Sequence, residues 1–269
     1  MIKKRLIFTL LYSDNFFFQS RNFNLQRVGD VNWLRKNYNF RNISFFIDEL
    51  IILNISRGEK KRELFLENVK KISEFCFVPV TIGGGIKSLE DAKYYLQNIS
   101  DKILVNTGIL ENLNLASEIT KIYGEQSLLI GFDLKKIDNK YFIFSNNGEK
   151  KEDNSPEEIL KKISNQNFGE LFLNSIDQDG TGTGLDYDML KLIPKDFKKP
   201  IILSGGTGNY KHIYEGLKKK NVSAISSSNL LNFVGDGLIK TRNELLLKKI
   251  PFPDWDSDQL KKLEFFHKK

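Results

Sequence analysis

Hydrophobic residues along this chain gather in eight short runs, separated by polar stretches with helical periodicity. Arg5–Leu11, Asp48–Asn54, Val78–Ile82, Lys102–Asn106, Ser127–Asp133, Glu170–Ser175, Pro200–Ser204 and Ser223–Ser227 each predict a strand. Most are apolar on both faces, as strands buried in a parallel sheet must be. Leu64, Phe65, Val69 and Ile72 recur near a period of 3.6 and predict a helix across Lys61–Phe75. Ser88 is placed to cap the next helix, Gly124 to stop the one after it, and Pro156 to open another. A weak helix is expected at Val31–Asn37, a long aromatic and polar loop at Tyr12–Gly29, and an inserted hairpin of Lys140–Phe144 with the residues after Gly148. Eight strand–helix units in alternation predict an α/β fold, a parallel (β/α)8 TIM barrel, over residues 1–244. Residues 245–269 read as a basic C-terminal extension with a short helix at Ser257–Phe266.

The two halves of the chain echo one another. Pro79, Gly84 and Gly85 in VPVTIGGGI superimpose on Pro200, Gly205 and Gly206 in KPIILSGGTG. The same offset carries Glu49–Leu50 onto Glu170–Leu171 and Asn106–Thr107 onto Ser227–Ser228. A repeat in fixed register implies a two-fold internal symmetry. Paired glycines at a strand's C-terminal end let backbone amides approach a phosphate. Two phosphate positions follow: Gly85 with Asn106–Thr107, and Gly205–Gly206 with Ser228–Asn229.

Alternation along each strand sorts the side chains into those that face the lumen and those that face the helices. One inward set carries Arg5, Glu49, Lys102 and Glu170 at the strand starts, and Asn106, Asp133 and Asn174 at the strand ends. Active sites of such barrels lie at the strand ends, so Asp133 is the candidate general acid/base. Asp179 sits in a Gly-rich loop, IDQDGTGTG, and joins the site set.

Composition narrows the partners. The chain has 269 residues, a formal charge of +7 and lysines interspersed with glutamates. No basic block or aromatic-interleaved motif supports nucleic-acid binding, and no run nears 20 apolar residues, so no membrane span is expected. The basic, apolar N-terminus resembles a weak signal peptide but is broken by Ser13–Asp14, so it reads as strand one and a cytoplasmic location is expected. One cysteine, Cys76, excludes an internal disulfide and a cysteine metal site, and two histidines leave a His-based mechanism unsupported. No metal and no cofactor are expected.

DELIILNIS, VPVTIGGGIKSLEDA, DKILVNTGIL, GFDLKK, GELFLNSIDQDGTGTG and PIILSGGTG keep their order and spacing from Arg5 to about Asn243. In this the chain resembles the cyclase subunit of imidazole glycerol phosphate synthase, the HisF family. The resemblance implies a barrel that takes ammonia from a HisH-like glutaminase and binds a substrate with two phosphates. It implies Asp133 as one of two acid/base aspartates. It implies phosphate contacts at Gly85, Asn106, Thr107, Asp179, Gly180, Gly206, Ser228 and Asn229. It also implies an ammonia gate at Arg5, Glu49, Lys102 and Glu170. Two positions depart. Leu11 stands where the family has its first catalytic aspartate, and Gln19 where its mobile loop carries a lysine. Asp14 lies three residues beyond Leu11 but matches another family position. The departures resemble a HisF-like branch that feeds ammonia to a sugar-modifying synthetase in surface-polysaccharide synthesis.

Four readings follow: the barrel of a sugar-amidating amidotransferase, a true cyclase of histidine biosynthesis, a non-catalytic barrel that activates the glutaminase, and a sugar-phosphate isomerase. The complete gate argues against the isomerase, which needs no ammonia.

Overall fold

The computed structural model describes residues 3–38, 40–228 and 237–253. Eight parallel strands close on themselves. They are β1 (Arg5–Ser13), β4 (Glu49–Asn54), β5 (Val80–Gly83), β6 (Lys102–Val105), β7 (Leu128–Ile137), β10 (Glu170–Ser175), β11 (Ile201–Ser204) and β12 (Val222–Ser227). Ile7 pairs with Glu49 on one side and Ser226 on the other, which shuts the barrel. The N-terminal run is thus a central strand, with Leu6, Ile7 and Phe8 fully buried.

Helices wrap this barrel where the apolar stripes predict them. Helix α1 spans Val31–Asn37, α3 Arg62–Ser73 and α4 Leu89–Asn98. Ser88 and Asp91 form a reciprocal capping box at the start of α4. Pro156 opens α7 (Pro156–Ile163) in the same way, with Ser155 and Glu158 as the box. The stretch after β6 is two helices, α5 (Thr107–Glu111) and α6 (Asn114–Tyr123), and Gly124 stops the second. Between β10 and β11 a 3-10 helix, Tyr187–Leu192, takes the place of an α-helix.

The segment expected as a loop, Tyr12–Gly29, is instead a β-hairpin. Strand β1 runs on to Ser13, pairs with β2 (Phe16–Arg21), and β2 pairs with β3 (Asn24–Gly29). Each turn has two residues with positive φ, Asp14–Asn15 and Asn22–Phe23, as two-residue hairpin turns require. A second hairpin grows from β7, which turns at Asp138–Asn139 into β8 (Lys140–Ser145).

Helix α9 (Gly237–Leu247) runs across the boundary expected at residue 245. Leu245 and Phe252 are buried, and Pro251 accepts a hydrogen bond from the Lys4 backbone at 2.9 Å. Arg242 holds Asp48 through two bonds of 3.1 and 3.2 Å, and Asp48 also accepts the Leu6 amide at 2.8 Å. This buried pair fastens α9 to the lower end of the barrel. The helix expected at Ser257–Phe266 lies outside the described residues. Among those described, no helix is long and apolar enough to cross a membrane.

Candidate functional site

The lower mouth of the barrel is closed by the four charges that alternation placed there. Arg5 reaches Glu49 at 2.8 Å and Glu170 through both guanidinium nitrogens. Lys102 lies 2.8 Å from Glu49 and 3.4 Å from Glu170. Two hydroxyls complete the ring: Thr81 donates to Glu49 at 3.0 Å and Ser223 to Glu170 at 3.1 Å. Burial alone would raise the Glu170 carboxyl, but the Arg5 bond and the charges of Arg5 and Lys102 hold it below its ordinary range. Sequence reasoning missed Ser223, although the internal repeat carries Lys102 onto it.

Above the ring lies an apolar layer that includes Ile7, Ile51, Leu104, Phe172 and Ile202. A Cβ on Gly131 would stand 2.8 Å from the end of the Leu104 side chain, which would have to shift to admit it. Above this layer the strand ends open into a cavity of about 450 Å³.

Asp133 sits in that cavity, flanked by Asn106 at 2.8 Å and Asn174 at 2.9 Å, each donating from its amide. Burial pushes the Asp133 carboxyl up to about 6, the nearby Asp179 charge adds to this, and the two amides oppose it. Such a carboxyl can take or give a proton near neutrality. The fold therefore favours protonated Asp133, and stability falls as pH rises from the ordinary aspartate range to about 6. The loss is at most about 3 kcal/mol. Asp133→Asn is accordingly expected to match the unmodified protein in urea unfolding near pH 4 and to exceed it by about 1–3 kcal/mol at pH 7. A constant difference across that range would contradict the assignment.

Leu11 and Leu53 lie side by side in the sheet and both line the cavity. Asp14 does not stand in for a second acid. It is exposed at the hairpin turn, pairs with Lys61 at 3.3 Å, and is not part of the cavity wall. Gln19 is buried within β2, also away from the wall.

Of the expected ligand contacts, Gly85, Asn106, Thr107, Asn174, Asp179 and Ser228 line the cavity together with Asp133. Gly180, Gly205 and Gly206 do not. A Cβ on Gly180 would lie 2.0 Å from the Ser20 carbonyl, and one on Gly206 2.0 Å from the Gly184 carbonyl. Asn229 lies outside the described residues.

Both hairpins reach over the opening. Asp179 accepts from the Ser20 hydroxyl and, at 3.1 Å, from the Phe23 amide. From the other side Asn146 donates to Thr107 at 3.2 Å, and Asn147 to the Ile55 carbonyl at 3.2 Å. The Phe23 ring meets Gly148, where a Cβ would stand 2.5 Å away. Lys60, which sequence reasoning also missed, enters the wall beside Gly85. Cys76 is buried packing, its thiol raised to about 11 by burial.

Comparison with known proteins rests on the same segments. The family described as histidine biosynthesis protein matches residues 25–233. The chain belongs to this family, on its HisF side. It is 43% identical over 91% of its length, and 91% of the relative's, to a candidate imidazole glycerol phosphate synthase subunit hisF2 of Parasynechococcus marenigrum. It is 34% identical over 87% of its length, and 92% of the relative's, to the imidazole glycerol phosphate synthase subunit HisF of Chlorobium phaeovibrioides. The HisF of Chlorobaculum tepidum is 33% identical over the same shares. The HisF family thus supplies the barrel, and the residues at its two ends decide how this member uses it.

Proposed function

We propose that this HisF-like barrel is the ammonia-receiving subunit of a glutamine-dependent amidotransferase, serving sugar amidation in surface-polysaccharide synthesis. The observation that carries the reading is an intact lower end beneath an altered upper one. The ring of Arg5, Glu49, Lys102 and Glu170 is complete, with every charge paired. At the strand ends Asp133 shares the cavity wall with Asp179, while Leu11 and Leu53 line it where the family's first catalytic aspartate would stand.

The apolar layer between them suits neutral ammonia. An ammonium ion would have to lose its water among Ile7, Ile51 and Phe172, at a cost of several kcal/mol or so. A HisH-like glutaminase docked on the strand-start face would deliver ammonia at the ring. That face exposes Phe77, 45% accessible, and Asp101, whose carboxylate accepts the Val80 amide at 2.8 Å. The substrate in the cavity would be a phosphorylated, sugar-like molecule held from Gly85 and Thr107, with Asp133 moving the proton.

A second reading, a cyclase of histidine biosynthesis, draws on Asp133 and its two asparagines. Both readings share the partner. Mixing this protein with the glutaminase from the same organism is expected to give co-elution and a rise in glutaminase activity. Neither effect with the matched partner would remove the ammonia reading.

A further inference from the structure

Among the described residues, one cation in the cavity wall has no carboxylate to answer it. Arg57 pairs with Glu149 at 3.1 Å, and Lys87 with Glu111 at 2.8 Å. Among the described residues, the Lys60 ammonium donates to backbone carbonyls alone, those of Asn54 at 3.1 Å and Ser56 at 2.5 Å. An ammonium has three donors, so one remains. Its position is set in advance. The Asn54 amide donates to the Lys60 carbonyl at 2.7 Å, and its side-chain oxygen accepts the Ser56 amide at 3.2 Å. Asn54 is fully buried and neutral, so it fixes the loop without cancelling the charge. Burial, and then the neighbouring charge of Lys87, bring the Lys60 ammonium below its ordinary pKa, as expected of a cation short of an anion.

The Lys60 stem lies against Gly85, with Gly84 next to it over the Asn54 carbonyl. Gly84 and Gly85 both have positive φ, 95° and 78° in that order. The other half of the barrel is different. There the Gly206 carbonyl accepts the Gly184 amide at 2.7 Å, and the Gly182 carbonyl lies against Gly208. Asp179 adds a negative charge on that side of the cavity. Among the described residues, the two halves share glycines but not a free positive charge.

We propose that Lys60 selects the anionic end of the ligand at Gly85 and Thr107, and that the cavity takes a sugar-sized molecule with a single phosphate there. This deepens the proposed function by naming the substrate class. It can fail by itself, because its test needs neither glutaminase nor ammonia.

The test is calorimetric titration of the whole chain with ribose 5-phosphate and with ribulose 1,5-bisphosphate. Lys60→Gln and the remote Lys136→Gln would be titrated beside it, each checked by thermal melting. The expected result is a loss of about tenfold or more for ribose 5-phosphate in Lys60→Gln and no change in Lys136→Gln. The bisphosphate is expected to bind within about fivefold of the monophosphate, since the other cations of the wall, Arg57 and Lys87, are already paired with Glu149 and Glu111. In the unmodified protein, ribose 5-phosphate is expected to shield Lys60 from amine acylation, read by peptide mass. That measurement needs no variant to fold. A loss under fivefold in Lys60→Gln, a bisphosphate bound more than fivefold tighter, unshielded Lys60, or no binding of either sugar phosphate would each overturn the proposal.

Discussion

Arg5→Ala is expected to lower folding stability by about 3–5 kcal/mol. The Arg5 side chain is 18% exposed, that of Glu49 only 2% and that of Glu170 12%. Without the guanidinium, two poorly solvated carboxylates share Lys102 alone. Stripping one partner from a buried ion cluster costs more than the pair itself contributes, because the remaining charge keeps its desolvation penalty. Urea unfolding at pH 7 measures the loss, and a change under about 1 kcal/mol would show that water, not Arg5, satisfies the glutamates. Glu170→Gln added to Arg5→Ala is expected to recover part of the loss, since it removes one stranded charge. The pH dependence has a definite sign. The Glu170 carboxyl is held below its ordinary range, so its contribution is complete above that range and lost as pH falls through its folded-state value. The difference between Arg5→Ala and the unmodified protein should therefore narrow in acid.

The second large effect concerns chemistry at the strand ends. Supplied with excess ammonia and the substrate of the HisF cyclase, the unmodified chain is expected to turn over about 10²–10⁴ slower than the HisF of Chlorobaculum tepidum. Closing an imidazole ring needs one group to take a proton and another to give one. Asp133 can do either but cannot stand on both sides of the substrate, and Leu11 can do neither. The measurement is a single-turnover assay, so slow product release does not mask the chemical step. Turnover within about tenfold of that relative would sink the idea and restore the histidine reading. Leu11→Asp, assayed beside it, separates the two losses. Gained turnover would show that only the proton-transfer group is missing. No gain would place the obstacle at the substrate as well.

Much of this architecture was legible before folding. Runs such as DELIILN and KPIILS are short and apolar on both faces, and the helices between them carry one apolar stripe. Parallel strands joined by helices close in one hand, so their order around the barrel followed from their order in the chain. The period of two then assigned Arg5, Glu49, Lys102 and Glu170 to one end and Asp133 with its asparagines to the other. These features are local or strictly periodic, and a linear pattern carries them intact.

What only the tertiary structure decided has no such period. The Tyr12–Gly29 stretch lacks clean alternation, because its hairpin buries Phe17 in the core at its base and gains its order at its tip from Asp179 and Gly148, far along the chain. Glycines 85 and 206 are equivalent in the repeat, yet one faces the cavity beside Lys60 and the other lies under the Gly184 carbonyl. That difference depends on how the residue 54–60 and 178–184 loops pack. Loop packing is set by close contacts between distant segments rather than by local propensity. Sequence alone determined a barrel with a charged floor and with Asp133 and Asp179 at its top; packing across the strand ends decided which half of that top carries an uncompensated positive charge.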